Sequence, residues 1–348
     1  MNDTDHDRTG DDDRGHHGGV AGGCASAPLT LVMVPPHAEA TAGWPTRLTR
    51  AVPGLRVLRP DSEAETTRAL AEADAAFGTL PPELLRHAPR LRWLQAPQAG
   101  PPPGFYHDEL LAHPVEVTNM RDTYTDHVAT HTLALVLALA RGLPAYVRAQ
   151  AAGSWAPDRD PASVWPPAGA TALVVGAGAV GAEVGRLLAA LGCRVVGVDA
   201  RRTEAPEGFA ALHPAEALDD RLPEADLVVV TVPHTPRTEG LFDAARLALL
   251  RPSALLVNVG RGPTVRLAAV AAALDAGRLR AVALDVFETE PLPADHPLWR
   301  HPRALLTPHV AGAGPHADER RFGVLLENAR RFAAGEELVR VVDKARWY

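Results

Sequence analysis

The stretch 171–199 constrains this chain more than any other. Residues 171–175 form a short apolar run, Gly176-Ala-Gly-Ala-Val-Gly181 follows without a gap, 182–191 has helical spacing, and 194–199 returns to a β-like run ending in Asp199. A glycine-rich turn between a strand and a helix predicts a βαβ unit of a parallel sheet. Gly176 allows the tight turn, Gly178 lets the backbone approach a pyrophosphate, and Gly181 lets helix and strand pack closely, with the helix N-terminus facing the phosphates. Ala179 and Val180 fall in that first helical turn. Asp199 sits where a carboxylate accepts hydrogen bonds from ribose hydroxyls. The spacing therefore predicts a dinucleotide site of Gly176, Gly178, Ala179, Val180, Gly181 and Asp199. Arg201 and Arg202 leave the dinucleotide open: the carboxylate repels a 2′-phosphate and favours NAD, while the guanidiniums favour NADP. The acid at the strand end weighs toward NAD, with NADP possible.

The same alternation runs through the rest of the chain. Strands are expected at 29–34, 56–59, 75–79, 92–96 and 115–119, with helices at 63–72 and 82–87 between them. The stretch 126–141 is apolar nearly all round its helical projection, which predicts a helix buried on every side, within a domain or against another subunit. Residues 152–168 are rich in Pro, Ala and Trp without periodicity and are expected to form a linker arm. A second strand–helix series runs from 171 to about 306, and 318–334 is expected to be helical. The expected domains are a substrate domain from 28–120 and 308–348 and a dinucleotide domain of 121–307.

Composition removes many alternatives. The chain has 348 residues with net charge −7, 46% hydrophobic and 22% charged, which suits a soluble two-domain protein and offers no basic surface for nucleic acid. Of its 35 Lys and Arg residues only Lys344 is lysine. A Walker A loop, a PLP Schiff base, a Tyr-x-x-x-Lys reductase pair and a lysine-dependent amino-acid dehydrogenase are thereby excluded from the body of the chain. The two cysteines, Cys24 and Cys193, make neither a disulfide framework nor a zinc knuckle, pointing to a reducing, cytoplasmic setting. Residues 1–27 are rich in Asp, Gly and His and are expected to be a disordered extension. Its His6, His16 and His17 are adventitious chelators rather than a built site, so no metal is expected. The longest apolar run, 133–140, is far short of the roughly 20 residues a membrane span needs.

Three further segments fall at expected strand ends, where ligands gather in open α/β sheets. The stretch 255–262 ends with Arg261 between two glycines, 281–291 ends with three acids, and 304–312 ends with His309 after a proline. Singly, each has a plainer reading: a salt bridge for Arg261, a surface acid for Glu290, a helix cap for His309. Together they match what reduction of a 2-keto acid requires. A planar fork grips the carboxylate and keto oxygen, an imidazole gives the proton, and a carboxylate holds the imidazole charged.

These residues carry a resemblance. With the stretches 231–238 (Thr-Val-Pro-His-Thr-Pro-Arg-Thr), 296–299 (His-Pro-Leu-Trp) and 341–348, the chain resembles the D-isomer-specific 2-hydroxyacid dehydrogenases over almost everything after residue 27. The resemblance implies a Rossmann-type doubly wound sheet beside a flavodoxin-like α/β substrate domain made from both chain ends. It implies hydride transfer between NAD(P)H and a 2-keto acid, with Arg261 gripping the substrate, His309 as acid/base and Glu290 as its partner. It adds Pro233, Val259, Gly260, Asp285 and Gly312 to the cofactor set, with Asp285 meeting the nicotinamide carboxamide. Gln98, Ala99 and Gly100 match the loop whose N–H groups hold the substrate carboxylate.

The sequence departs from the family pattern at Arg266 and at Thr130, both positions that are commonly acidic. The alternative is a dinucleotide-sensing or corepressor-like protein on the same fold. The apolar helix at 126–141 predicts a homodimer, with a small 2-keto or 2-hydroxy acid as the other partner.

Overall fold

Strands covered on both faces need no polar alternation, and most strands here are such apolar runs. The computed structural model describes residues 28–102 and 104–348; the stretch 1–27, with Cys24 and the three tail histidines, lies outside the described residues. The first sheet comprises β1 (Leu29–Met33), β2 (Leu55–Leu58), β3 (Ala75–Phe77), β4 (Trp93–Gln95) and β5 (Glu116–Thr118). All are parallel, in the order β2-β1-β3-β4-β5, the flavodoxin arrangement.

The second sheet comprises β6 (Thr171–Val175), β7 (Arg194–Asp199), β8 (Phe209–Pro214), β9 (Leu227–Val230), β10 (Leu255–Asn258), β11 (Ala281–Leu284) and β12 (Ala304–Leu306). Its order is β12-β11-β10-β9-β6-β7-β8. The strand order reverses between β6 and β9, and the crevice at that switch point is where such sheets bind ligands. Successive residues feed opposite layers: Leu173, Val175, Val228 and Val230 pack in one core, Ala172, Val174, Leu227 and Val229 in the other. Each buried Val or Leu contributes roughly 1.5–3 kcal/mol, so truncating any of these side chains leaves a costly cavity.

After β12 the chain crosses back to the first sheet. Phe322, Leu325 and Ala329 of the helix Ala317–Ala334 join the core of Leu31, Met33 and Trp44. Val341 bridges to Thr118 and Val342 N–H donates to Val117 O at 2.8 Å. The stretches 29–118 and 317–342 thus both build the first lobe. An Arg320–Asp126 fork, 2.6 and 2.9 Å, joins this helix to the helix Thr125–Ala140 of the second lobe.

The structure differs from expectation in several places. In Thr125–Ala140, Ala129, Leu135, Val136 and Leu139 are buried against the second sheet, but Leu133 and Leu137 are half-buried and Ala134 is exposed. The helix is therefore open on one side within the chain, so cover on every side needs another subunit. A second helix, Leu143–Ala151, follows it, and β8 adds an edge strand. Cys193 lies in the turn before β7; its Sγ donates to Pro167 O at 3.2 Å, and burial pushes the thiol up to about 11. Among the described residues no single helix is long and apolar enough to cross a membrane.

Candidate active site

The glycine loop leaves β6 with Gly176 at φ +96°, a left-handed conformation that glycine adopts without cost. Gly178 opens the helix Ala179–Ala190, and no side chain caps that terminus. A Cβ on Gly181 would overlap Gly176 O, so turn and helix meet only because position 181 has no side chain. The first N–H groups of the helix, at Ala179 and Val180, are left to an outside acceptor. This is the donor set a pyrophosphate requires, and the residues present fit a dinucleotide. Asp199 is more occupied than its sequence position implies. Its Oδ2 accepts from Ala177 N at 2.7 Å, and its Oδ1 from Arg201 N and Arg202 N, each at 2.8 Å. The carboxylate thereby fixes both the glycine turn and the turn carrying the two arginines.

Arg261 follows β10, and its backbone is pinned before its side chain is aimed. Its carbonyl accepts from Asn258 Nδ2 at 3.2 Å and Thr264 Oγ1 at 2.6 Å. The guanidinium donates from Nη1 to Gly260 O at 2.6 Å and from Nη2 across the cleft to Gly100 O at 2.8 Å. A Cβ on Gly100 would overlap the guanidinium. Burial pulls the Arg261 pKa below its ordinary value and the Glu290 charge opposes that; the group stays cationic at neutral pH. Facing it, the carbonyls of Gln98, Ala99 and Gly100 are taken by Met120 N, Asn119 Nδ2 and Arg261. Their N–H groups donate to nothing among the described residues. Ala99, Gly100, Pro233 and Arg261 line one cavity; Gln98 is exposed and stands outside it.

His309 follows β12 at φ +52°, in the left-handed region that histidine enters more often than most side chains. Its N–H donates to Asp285 O at 2.8 Å. Its Nδ1 donates to Glu290 Oε2 at 2.6 Å, while Glu290 Oε1 accepts from Phe287 N at 2.9 Å. A carboxylate on Nδ1 places the proton there and leaves Nε2 as the unprotonated nitrogen of the neutral ring. Nε2 has no partner among the described residues.

Asp285 is wholly buried. Its Oδ1 accepts from Thr307 Oγ1 at 2.6 Å and Val310 N at 3.0 Å, its Oδ2 from Ala311 N at 2.9 Å. It thus anchors the loop that carries His309. Val259 is buried, with its N–H on Val230 O, and Gly260 N–H donates to Asn258 Oδ1. Gly312 lies two residues beyond Val310, facing the Tyr124 ring.

Residues 133–311 match the NAD-binding domain of the D-isomer-specific 2-hydroxyacid dehydrogenases. The chain belongs to that family. It is similar to a D-3-phosphoglycerate dehydrogenase of Mycobacterium tuberculosis, 35% identical over 277 residues, covering 80% of this chain and 50% of the relative. It thus spans half the length of that relative. A glyoxylate reductase of Thermofilum pendens is 30% identical over 294 residues, 82% of this chain and 86% of the relative. Among solved structures, a D-isomer-specific 2-hydroxyacid dehydrogenase from Xanthobacter autotrophicus in complex with NADPH and MES superposes with TM-score 0.78 at 33% identity, covering 92% of this chain and 100% of the other.

Within this dehydrogenase fold, sequence reasoning missed the groups that hold the site together. Thr307 gives its proton to Asp285 and accepts from His131 Nε2 at 3.0 Å, so His131 serves as a donor from a neighbouring helix. Arg266, the departure from the family pattern, bonds Glu288 at 3.1 Å and Glu239 at 3.3 Å, and Glu288 Oε2 caps Leu267 N at 2.7 Å. The cation at 266 therefore pairs with the acid beside Glu290. The spacing of 266 and 288 carries no signal of this, since the contact joins the start of the helix Leu267–Asp275 to the loop after β11.

Proposed function

We propose that the protein reduces a short 2-keto acid to the D-2-hydroxy acid, with His309 as proton donor, Glu290 as its partner and Arg261 as the substrate grip. The observation carrying this reading is the 2.6 Å His309–Glu290 contact, with the Glu290 charge acting on the buried Arg261 and the N–H groups of Ala99 and Gly100, beside that guanidinium, unused among the described residues. Bound NAD(P)H supplies a hydride, two electrons and one hydrogen, to C2 of the keto acid and leaves as NAD(P)⁺. Arg261 forks onto the carboxylate and carbonyl oxygens, with the N–H groups of Ala99 and Gly100 completing the carboxylate site. His309 Nε2 delivers a proton to the carbonyl oxygen as its negative charge grows, and Glu290 stabilises the imidazolium until then. In the reverse direction His309 is the base. Asp285 Oδ2, which accepts only the Ala311 N–H, is the atom left to take a carboxamide N–H. Steady-state oxidation of NADH and NADPH with glyoxylate, hydroxypyruvate, pyruvate and phenylpyruvate tests the reading. Cofactor binding without turnover of any acid favours a dinucleotide sensor instead.

Cofactor choice is expected to follow the Asp199 carboxylate, favouring NADH. Asp199→Ala is expected to shift the NADH to NADPH ratio of kcat/KM toward NADPH by about tenfold, the scale of one charge contact. Arg201→Ala is expected to weaken NADPH use and leave NADH within about twofold. A ratio unmoved in Asp199→Ala contradicts the assignment.

Ala134 on the open side of Thr125–Ala140 is exposed, as are Leu143, Val147 and Trp155 farther along the chain, the last 94% accessible. Exposed large apolar side chains are what an interface covers, and a homodimer is expected. Light scattering is expected to give the mass of two chains, and a single-chain mass at micromolar concentration contradicts it.

A further inference from the structure

The stretch 343–348 carries the chain's only lysine and two aromatic residues that none of the steps above uses. Lys344 Nζ donates to the carbonyls of Leu110 and His113, fastening the stretch to the first lobe. Asp343 O accepts from Arg346 N at 3.0 Å and Trp347 N at 2.8 Å, which folds it into a turn. The turn delivers Trp347 with φ +67°, a backbone conformation that favours glycine and is costly for an indole. The ring nevertheless stacks on Tyr106 at 5.6 Å and 22°, and meets His234 of the second lobe edge-on at 5.9 Å and 75°. Tyr348 lies under the Arg201 guanidinium at 4.5 Å. Trp347, Tyr348, Tyr106 and His234 line the same cavity as Ala99, Gly100 and Arg261.

We propose that Trp347 is the size-limiting wall of the substrate cavity, restricting this enzyme to 2-keto acids with no substituent, or one small polar substituent, beyond C2. The inference rests on the keto-acid reading above. Arg261 and Gly100 fix one end of the acid, so the group attached to C2 has only the remaining cavity to occupy. The Tyr106–Trp347 stack fills space that a branched or aromatic substituent needs. An indole spanning two lobes from a glycine-favouring conformation is a side chain whose bulk is used. Each methylene that a tight pocket fails to admit costs about 10–200-fold in kcat/KM, so one ring is enough to set a preference.

The test compares wild type, Trp347→Gly and Trp347→Phe on glyoxylate, hydroxypyruvate and phenylpyruvate, with NADH and with NADPH. Glycine suits the φ of this position, so the first variant is expected to fold, which a thermal melt checks. Wild type is expected to favour glyoxylate or hydroxypyruvate over phenylpyruvate by about a hundredfold or more. Trp347→Gly is expected to raise the phenylpyruvate-to-glyoxylate ratio of kcat/KM by about tenfold or more. Trp347→Phe is expected to keep most of the wild-type preference. If Trp347→Gly lowers all three acids in parallel, or raises the cofactor KM alone, the ring is an interlobe strap and the proposal falls while the dehydrogenase reading stands. Should wild type reduce none of the acids with either cofactor, the functional reading fails and takes this proposal with it.

Discussion

Replacing His309 with alanine is expected to lower kcat for 2-keto acid reduction by about 10²–10⁴-fold, the usual contribution of a positioned general acid. The affinity for NADH or NADPH, measured by fluorescence titration, is expected to stay within about twofold of wild type. The loop bearing His309 is held by its backbone, through Asp285 O and through the Val310 and Ala311 N–H bonds to the Asp285 carboxylate. Removing the imidazole leaves those bonds in place, so the loss falls on proton transfer rather than on folding. Glu290 is left with Phe287 N on one oxygen and water on the other. A His309→Ala enzyme that keeps more than about a tenth of wild-type kcat contradicts the proton-donor assignment.

Loss of the Arg261 guanidinium is expected to be at least as severe. Arg261→Ala is expected to reduce kcat/KM by about 10³-fold or more, because it removes both a carboxylate fork and a donor to the carbonyl oxygen, the latter alone being worth about 10²–10³. Both KM and kcat should move, since the carboxylate contact exists in the ground state and the carbonyl contact strengthens as charge develops. Arg261→Lys is expected to recover only a small part, because a point charge cannot replace a planar fork. The side chain also bonds Gly260 O and Gly100 O, so a thermal melt of the variant should accompany the kinetics. Kinetics unchanged in Arg261→Ala would sink the assignment of this residue.

Much of the architecture was legible because the strands carry long apolar runs. Val228, Val229 and Val230 must be covered on both faces wherever they go, and that alone implies a parallel sheet between helical layers. The strand β8 was missed because it is an edge strand, mostly half-buried, with neither a continuous apolar run nor a clean alternation. The helix Leu143–Ala151 was missed because it has no buried residue and so no apolar stripe facing the chain's own core.

The site divides the same way. Arg261, Glu290 and His309 lie at strand ends, and the glycine loop announces its own geometry. The groups that hold them announce nothing. His131 reaches Thr307 across 176 positions, and Glu288 finds Arg266 and the Leu267 N–H only because the loop after β11 meets the start of the helix Leu267–Asp275. Asp285 is similar: the family resemblance implies a cofactor contact for it, and nothing in the sequence announces that its oxygens also hold the His309 loop. Lys344 first limited the chemistry of the chain by being alone, and the fold gives it a second use, anchoring the turn that carries Trp347.

The most direct measurement follows the transferred atom. With reduced cofactor deuterated at the transferable C4 position and glyoxylate, hydroxypyruvate or phenylpyruvate as acceptor, mass spectrometry is expected to find one deuterium at C2 of the product. For hydroxypyruvate and phenylpyruvate, chiral chromatography is expected to show the D-2-hydroxy acid. The His309→Ala enzyme is expected to form it at least about a hundredfold more slowly. Cofactor binding with no deuterated 2-hydroxy acid from any acceptor, or equal rates in wild type and His309→Ala, would contradict the account.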